Sequence, residues 1–377
     1  MRFMLEDSIM VKDSVCTAGS RVLNGFKAPF SATVYDKCVA QRMEYAGSVV
    51  SDEFGIDALF DSPHDLAAAD AASVEEPLAA PITNILEGRC DTVLCNDTFG
   101  KLRRQAAQNR LIYIRPSYGV VSRFGLIQAV PSMDQIGVLC RNIKDGIEML
   151  STISGYDEND GTSIPKNIYM YSAGRAPEKT IRIGFSKSLR LPITQDTAEC
   201  TTSEADAGPR FIEVDLKYFD KIEQVFYILA SAEICGATNR YDGVKFGLRA
   251  GASSLNDMYV KSRSEGFGRD LKLAVLVGCM VLSHEHYEKL YYKSMQLRGL
   301  MKDYYDNLFS QVDAIILPAE IQGASDKYAQ SALYSLPSLC GYSAISFRIG
   351  SSPVQLIAPH GGENAVFSFV ESLGIEH

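Results

Sequence analysis

The side chains able to do chemistry in this chain are scattered. The five histidines are His64, His284, His286, His360 and His377. His284 and His286 stand two apart, and on a helix that spacing turns them to different faces, so they read as a solvated helix start rather than a metal pair. Among nine cysteines the one close pair is Cys90 and Cys95. The count is odd and no CxxC occurs, so neither a zinc site nor a disulfide framework is indicated, and the thiols are expected to be reduced and mostly buried. The phosphate-cradling GxGxxG and GxxxxGK[ST], the GxSxG elbow and HExxH are absent, which leaves Rossmann, P-loop, α/β-hydrolase and zincin readings without an anchor. No cofactor and no metal are expected.

Charge is segregated along the chain. Between residues 43 and 88 there is no Lys or Arg, while Glu44, Asp52, Glu53, Asp57, Asp61, Asp65, Asp70, Glu75, Glu76 and Glu87 carry ten negative charges. Between 98 and 133 the sign reverses, with Lys101, Arg103, Arg104, Arg110, Arg115 and Arg123 and no acid. The plain reading is two solvated faces that neutralise each other in the fold. The functional alternative is a local basic patch, with Arg104, Arg110 and Arg123 contacting RNA phosphates or an acidic partner.

The elements that must position these residues alternate. Short β-branched runs at 91–95, 111–115, 180–185, 313–317, 343–349 and 353–358 read as strands. Residues 32–46, 138–153, 218–235, 254–264 and 269–309 read as helices, the last marked by Tyr287, Leu290, Leu297, Leu300, Tyr304 and Leu308 at helical spacing. Runs too apolar to be half exposed, alternating with helices, imply an α/β fold with a central mixed β-sheet covered by helices on both faces. Residues 62–81 and 191–210 lack apolar periodicity and are expected to be loops.

The chain has 377 residues, 46% of them hydrophobic and 22% charged, which excludes disordered, collagenous and disulfide-scaffold classes. Its formal charge of −9 means that binding to nucleic acid or an anionic membrane cannot rest on net charge. The N-terminus MRFMLEDSIMVKDS lacks signal- or transit-peptide character, and no stretch reaches transmembrane length. An intracellular, reducing location is expected, either a bacterial-type cytoplasm or a mitochondrial matrix.

Four blocks carry a specific resemblance: MVKDSVCTAGSRVLNGFKAPFSATV at 10–34, RPSYGVVSRFGLIQAVPSMDQIGVLCRNIKD at 115–145, RSEGFG at 263–268 and VDAIILP at 312–318. Together they resemble the amidase-signature family, most nearly its tRNA-dependent amidotransferase A subunits, with weaker likeness from about residue 6 through 358. The resemblance implies the amidase-signature fold over 1–377 as one domain, without the helical N-terminal portion of the family.

It also implies a site. Such amidases pair a lysine with a bridging serine and a nucleophilic serine, and glycine-rich backbone N–H groups hold the oxyanion. The lysine matches at Lys12. The glycine- and serine-rich stretch that brings the bridging serine falls at 76–82, which reads EPLAAPI. The nucleophile motif Asp-Thr-Gly-Gly-Ser-Ile-Arg aligns with Asp97-Thr98-Phe99-Gly100-Lys101-Leu102-Arg103, placing Lys101 at the nucleophile position and a ring at a glycine. An acyl-lysine is itself an amide, so Lys101 would stop after one turnover. Ala274 and Ala332 stand where substrate-binding side chains are expected. Asp134, Arg103 and Tyr118 match family positions and read as structural.

The sequence therefore favours a catalytically inactive relative, a structural or binding subunit of a larger protein or ribonucleoprotein assembly, in which Lys12 is a vestigial buried lysine paired with a carboxylate. Lys101 is expected to swing to solvent or to pair with a carboxylate, Asp97 being nearest in sequence, and Phe99 to narrow the cleft. The family implies protein partners: a B subunit that binds tRNA, and a small C subunit. Two alternatives stand beside this: an active glutamine-dependent A subunit whose serines come from elsewhere, Ser62 and Ser73 being the nearby candidates, and a module binding a small ligand in the old cleft.

Overall fold

The computed structural model describes residues 1–50, 52–56, 77–165, 170–174, 180–189, 209–320 and 327–374. Ten strands form one mixed sheet: β1 (Arg2–Glu6), β2 (Glu44–Val49), β3 (Thr92–Asn96), β4 (Ile112–Arg115), β5 (Ile136–Cys140), β6 (Arg182–Phe185), β7 (Arg210–Glu213), β8 (Ala314–Pro318), β9 (Ser343–Ile349) and β10 (Ser352–Ala358). Their order is β2-β1-β3-β5-β4-β9-β10-β8-β6-β7. Pairing is parallel at the two ends and antiparallel from β3 through β8.

The helices are α1 (Thr33–Ala40), α2 (Ala80–Leu86), α3 (Lys101–Gln108), α4 (Ile143–Ile153), α5 (Phe219–Thr238), α6 (Leu255–Gly266), α7 (Arg269–Val281), α8 (Lys293–Leu308), α9 (Lys327–Cys340) and α10 (Glu363–Ser372). Strand alternation sorts the core into two sides. Ile316, Ile345 and Leu356 face a cluster completed by α1, α4 and α10. Ile315, Leu317, Ala344 and Ile357 face the opposite cluster, with α5, α7, α8 and α9, and on that side Val93, Cys95, Tyr113 and Leu139 meet α2 and α3. Both faces of the sheet are covered, as the sequence implied.

Several boundaries differ from the expectation. The helix expected over 32–46 stops at Ala40, because Arg42 adopts φ +59° and the Met43 N–H returns to the Cys38 carbonyl, a turn that ends helices; residues 44–49 are then the edge strand β2. The helix expected over 138–153 starts at 143, where the Asn142 side chain accepts the Asp145 N–H. Residues 136–140 are the buried strand β5, since an apolar run there fits strand or helix equally by periodicity. The 269–309 stretch is broken into α7, a π-helical turn Tyr287–Tyr292 and α8. Strands β1, β2, β5 and β7 were not expected. Of the two expected loops, 62–76 and 191–208 lie outside the described residues, while α2 begins at Ala80 and β7 at Arg210. Among the described residues, no helix is long and apolar enough to cross a membrane.

Candidate active site

The site grows from the junction where β3 runs into α3. Asp97 leaves the strand and accepts N–H bonds from Gly100 (2.9 Å) and Arg103 (2.9 Å), closing the first turn of α3. The helix N-terminus favours that carboxylate electrostatically. Gly100 sits at φ +91°, and a Cβ there would lie 2.3 Å from the Tyr334 side chain, so both the turn and the packing require glycine.

Behind this turn lies a buried polar lattice. Arg103 has no exposed surface; its Nε reaches Asp97 Oδ2 at 3.0 Å, and its terminal nitrogens donate to the carbonyls of Tyr334 and Asp97 and to Gln355 Oε1, each at 3.1–3.2 Å. Arg115, equally buried, donates to the Met133 carbonyl at 2.5 Å. Burial with Arg103 alongside lowers its pKa to about 10, so it remains a cation at neutral pH. Asp134 collects the Thr98 hydroxyl (2.6 Å), Asn96 Nδ2 (3.1 Å) and the backbone N–H groups of Ala129 and Val130. Tyr118 donates its hydroxyl to the Pro131 carbonyl at 2.9 Å. Arg103, Asp134 and Tyr118 hold the frame.

Lys101 points away from this lattice. Its Nζ lies 2.5 Å from Asp52 Oδ2, with both side chains about four-fifths buried. The pairing with a carboxylate is as expected, but the partner is Asp52 and not Asp97, whose oxygens are already filled by α3 and Arg103. Phe99 is buried against Phe226 at 5.3 Å between ring centroids.

Lys12 is exposed, which corrects the expected buried lysine. Its backbone N–H donates to Ser31 Oγ at 3.0 Å, and among the described residues no carboxylate pairs with its ammonium. The loop that carries it is tied to the Asp52 segment, since the Phe54 N–H reaches the Ala18 carbonyl (2.7 Å) and Ser20 Oγ donates to Glu53 Oε1 (2.5 Å). Glu53 also accepts the Gly268 N–H at the start of α7. Burial raises the Glu53 pKa against the lowering effect of these bonds. Asp52 and Glu53 were legible only as two members of the acidic run. Ala274 and Ala332 are both buried. Ser62 and Ser73 lie outside the described residues.

The expected basic patch is not a single surface. Arg123 is buried: it donates to the carbonyls of Pro131 and Asp134 and to Thr162 Oγ1, and its guanidinium lies 4.5 Å from the Tyr118 ring centroid. Arg110 is exposed and Arg104 partly so. Among the described residues, no group of three His, Cys, Asp or Glu side chains is placed to hold a metal.

The sequence matches the family described as amidase over residues 88–365. This chain belongs to the amidase-signature family. It is 31% identical to the A subunit of glutamyl-tRNA(Gln) amidotransferase from Wolinella succinogenes, over 98% of this chain and 88% of the relative. With the subunit of the same name from Enterococcus faecalis it shares 32% identity, over 96% and 80%. The crystal structure of the corresponding Thermotoga maritima A subunit shares the fold, with a TM-score of 0.70 at 23% identity, covering 98% of this chain and 81% of that one. These findings overturn the expectation that the chain is not an enzyme. Nearly its whole length lies within relatives named as subunits of an amidotransferase, and the family's chemistry is amide chemistry.

Proposed function

We propose that the chain works as an A-type subunit of a glutamine-dependent tRNA amidotransferase, within a multi-subunit complex. The observation that carries this is the 31–32% identity to subunits of that name over 96–98% of the chain. In this reading Lys12 is the general base that takes the proton of a hydroxyl nucleophile, and it sits exposed on a loop tied through Ser20 to Glu53. The acyl acceptor is a hydroxyl other than position 101, because a lysine acylated there would not turn over, and the Lys101 amine is held by Asp52. Ser62 and Ser73 are the candidates from sequence, and Ser31 is a hydroxyl the fold holds against the Lys12 backbone.

The test is glutamine hydrolysis by the chain purified with the subunits that accompany it, compared with Lys12→Ala and with Ser31→Ala, Ser62→Ala and Ser73→Ala. Loss of turnover by at least 100-fold in Lys12→Ala and in one serine variant is expected. Absent turnover in the intact complex, or turnover indifferent to Lys12, overturns the proposal.

A further inference from the structure

Two cysteines outside the site sit side by side. Cys235, on α5, and Cys279, on α7, have their sulfurs 3.4 Å apart. The two helices approach closely at this level: a Cβ on Gly278 would lie 2.2 Å from the Ser231 carbonyl oxygen and 2.5 Å from Cys235 Cβ. A disulfide needs the sulfurs at about 2 Å, so side-chain rotation of a little over 1 Å closes the gap without separating the helices. The two thiols also differ in access. Cys279 is exposed, whereas Cys235 is buried beneath it. Of the other described cysteines, Cys16, Cys38, Cys90, Cys95, Cys140 and Cys340 are all buried.

We propose that Cys235 and Cys279 form a redox modification site that closes reversibly to an α5–α7 disulfide when a small-molecule disulfide reaches Cys279. The Cys279 thiolate attacks one sulfur of the oxidant, forming a mixed disulfide and expelling the first thiolate. Cys235 then attacks the Cys279 sulfur, the mixed disulfide breaks, and the second thiolate leaves. The two protons from the protein thiols end on the two released small thiols; the protein pair is oxidised and the small disulfide is reduced. Access makes Cys279 the entry point, and its buried neighbour resolves the adduct. Burial raises the Cys235 pKa to about 11 while the Arg263 guanidinium pulls it down, so the resolving step accelerates with pH.

The experiment treats the native, reduced full-length protein with oxidised glutathione, quenches with acid, and reads free thiols, intact mass and the peptide map. Expected are the loss of two thiols, a mass lower by about 2 Da, a cross-linked pair of peptides carrying Cys235 and Cys279, and full reversal by dithiothreitol. In Cys235→Ala the glutathione adduct on Cys279 should persist, and in Cys279→Ser the cross-link should be absent. A persistent glutathione adduct on wild-type Cys279, a cross-link from Cys279 to any other cysteine, or no thiol loss each overturns the proposal.

Discussion

Lys101 Nζ meets Asp52 Oδ2 at 2.5 Å across 49 residues of sequence, which ties the first turn of α3 to the segment that follows β2. The pair is neither fully wet nor fully dry, so its strength falls between exposed ion pairs and buried ones. Lys101→Met is expected to cost about 1–2 kcal/mol, and a double-mutant cycle with Asp52→Asn to return a coupling of about 1 kcal/mol that shrinks as salt rises. Urea titrations at two ionic strengths measure it. A coupling near zero would show that the contact is incidental.

Arg103 and Asp97 make a harsher case, because neither can reach water. Truncating Arg103 to Ala strips Asp97 and Gln355 of donors and leaves a buried carboxylate without its cation, which is expected to cost about 3–5 kcal/mol. Arg103→Lys should recover only part of this, since one ammonium cannot reproduce the fork that also serves the Tyr334 and Asp97 carbonyls. Thermal and chemical unfolding of the three proteins would rank them wild type, Lys, Ala; a Lys variant equal to wild type would refute the fork argument.

Gly100 offers a test of shape alone. A methyl there meets Tyr334 at 2.3 Å and must also adopt φ +91°, so Gly100→Ala is expected to lose about 3 kcal/mol or more. Gly161 has open space around its Cβ position and no left-handed angle, and Gly161→Ala should stay within about 0.5 kcal/mol of wild type. Equal unfolding midpoints for the two variants would count against the strand-to-helix junction as described.

The sequence carried the fold where patterns were local. Strand 343–349 was readable to the residue, because β-branched and aromatic side chains alternate there without a competing helical period. Residues 136–140 were not, since a short apolar run leading into a helix has no period of its own to separate the two elements. The site followed the same division. The turn from Asp97 to Arg103 was visible as a block, whereas the Lys101 partner sat far upstream among ten similar acids. The burial of Arg123 was invisible because the carbonyls of Pro131 and Asp134 that receive its donors leave no mark on residue identity.

Glu53 gives a pH dependence whose sign can be worked out. Its carboxyl is raised from 4.5, chiefly by burial, so the folded protein holds this proton to higher pH than the unfolded chain does. The resulting stability is complete below the unfolded value and is lost as pH rises through the folded one, in the window from 4.5 upward. Glu53→Gln removes that titration while keeping an acceptor for Ser20 or Gly268. The difference in unfolding free energy between wild type and Glu53→Gln should therefore move against wild type as pH climbs above 4.5 through the raised value. A flat difference across that range would contradict the burial argument.

Arg123 and Arg110 look alike in sequence and should behave oppositely. Arg123 donates to two carbonyls and Thr162, stacks on Tyr118 and faces Asp160 at 3.9 Å, so Arg123→Ala leaves buried acceptors unmet and is expected to cost about 2–4 kcal/mol. Arg110 lies exposed just past the end of α3 at φ +59°, a conformation that suits glycine better than arginine; Arg110→Gly should therefore be neutral or slightly stabilising. Within the 98–133 run Arg110 is the basic residue that lies exposed, so an RNA contact that runs through it is limited to about one phosphate and a correspondingly shallow salt slope. Filter binding of tRNA to wild type and to the Arg110→Gly variant at two salt concentrations measures that slope. A steep slope left unchanged in the variant would place the RNA-binding surface elsewhere on the molecule.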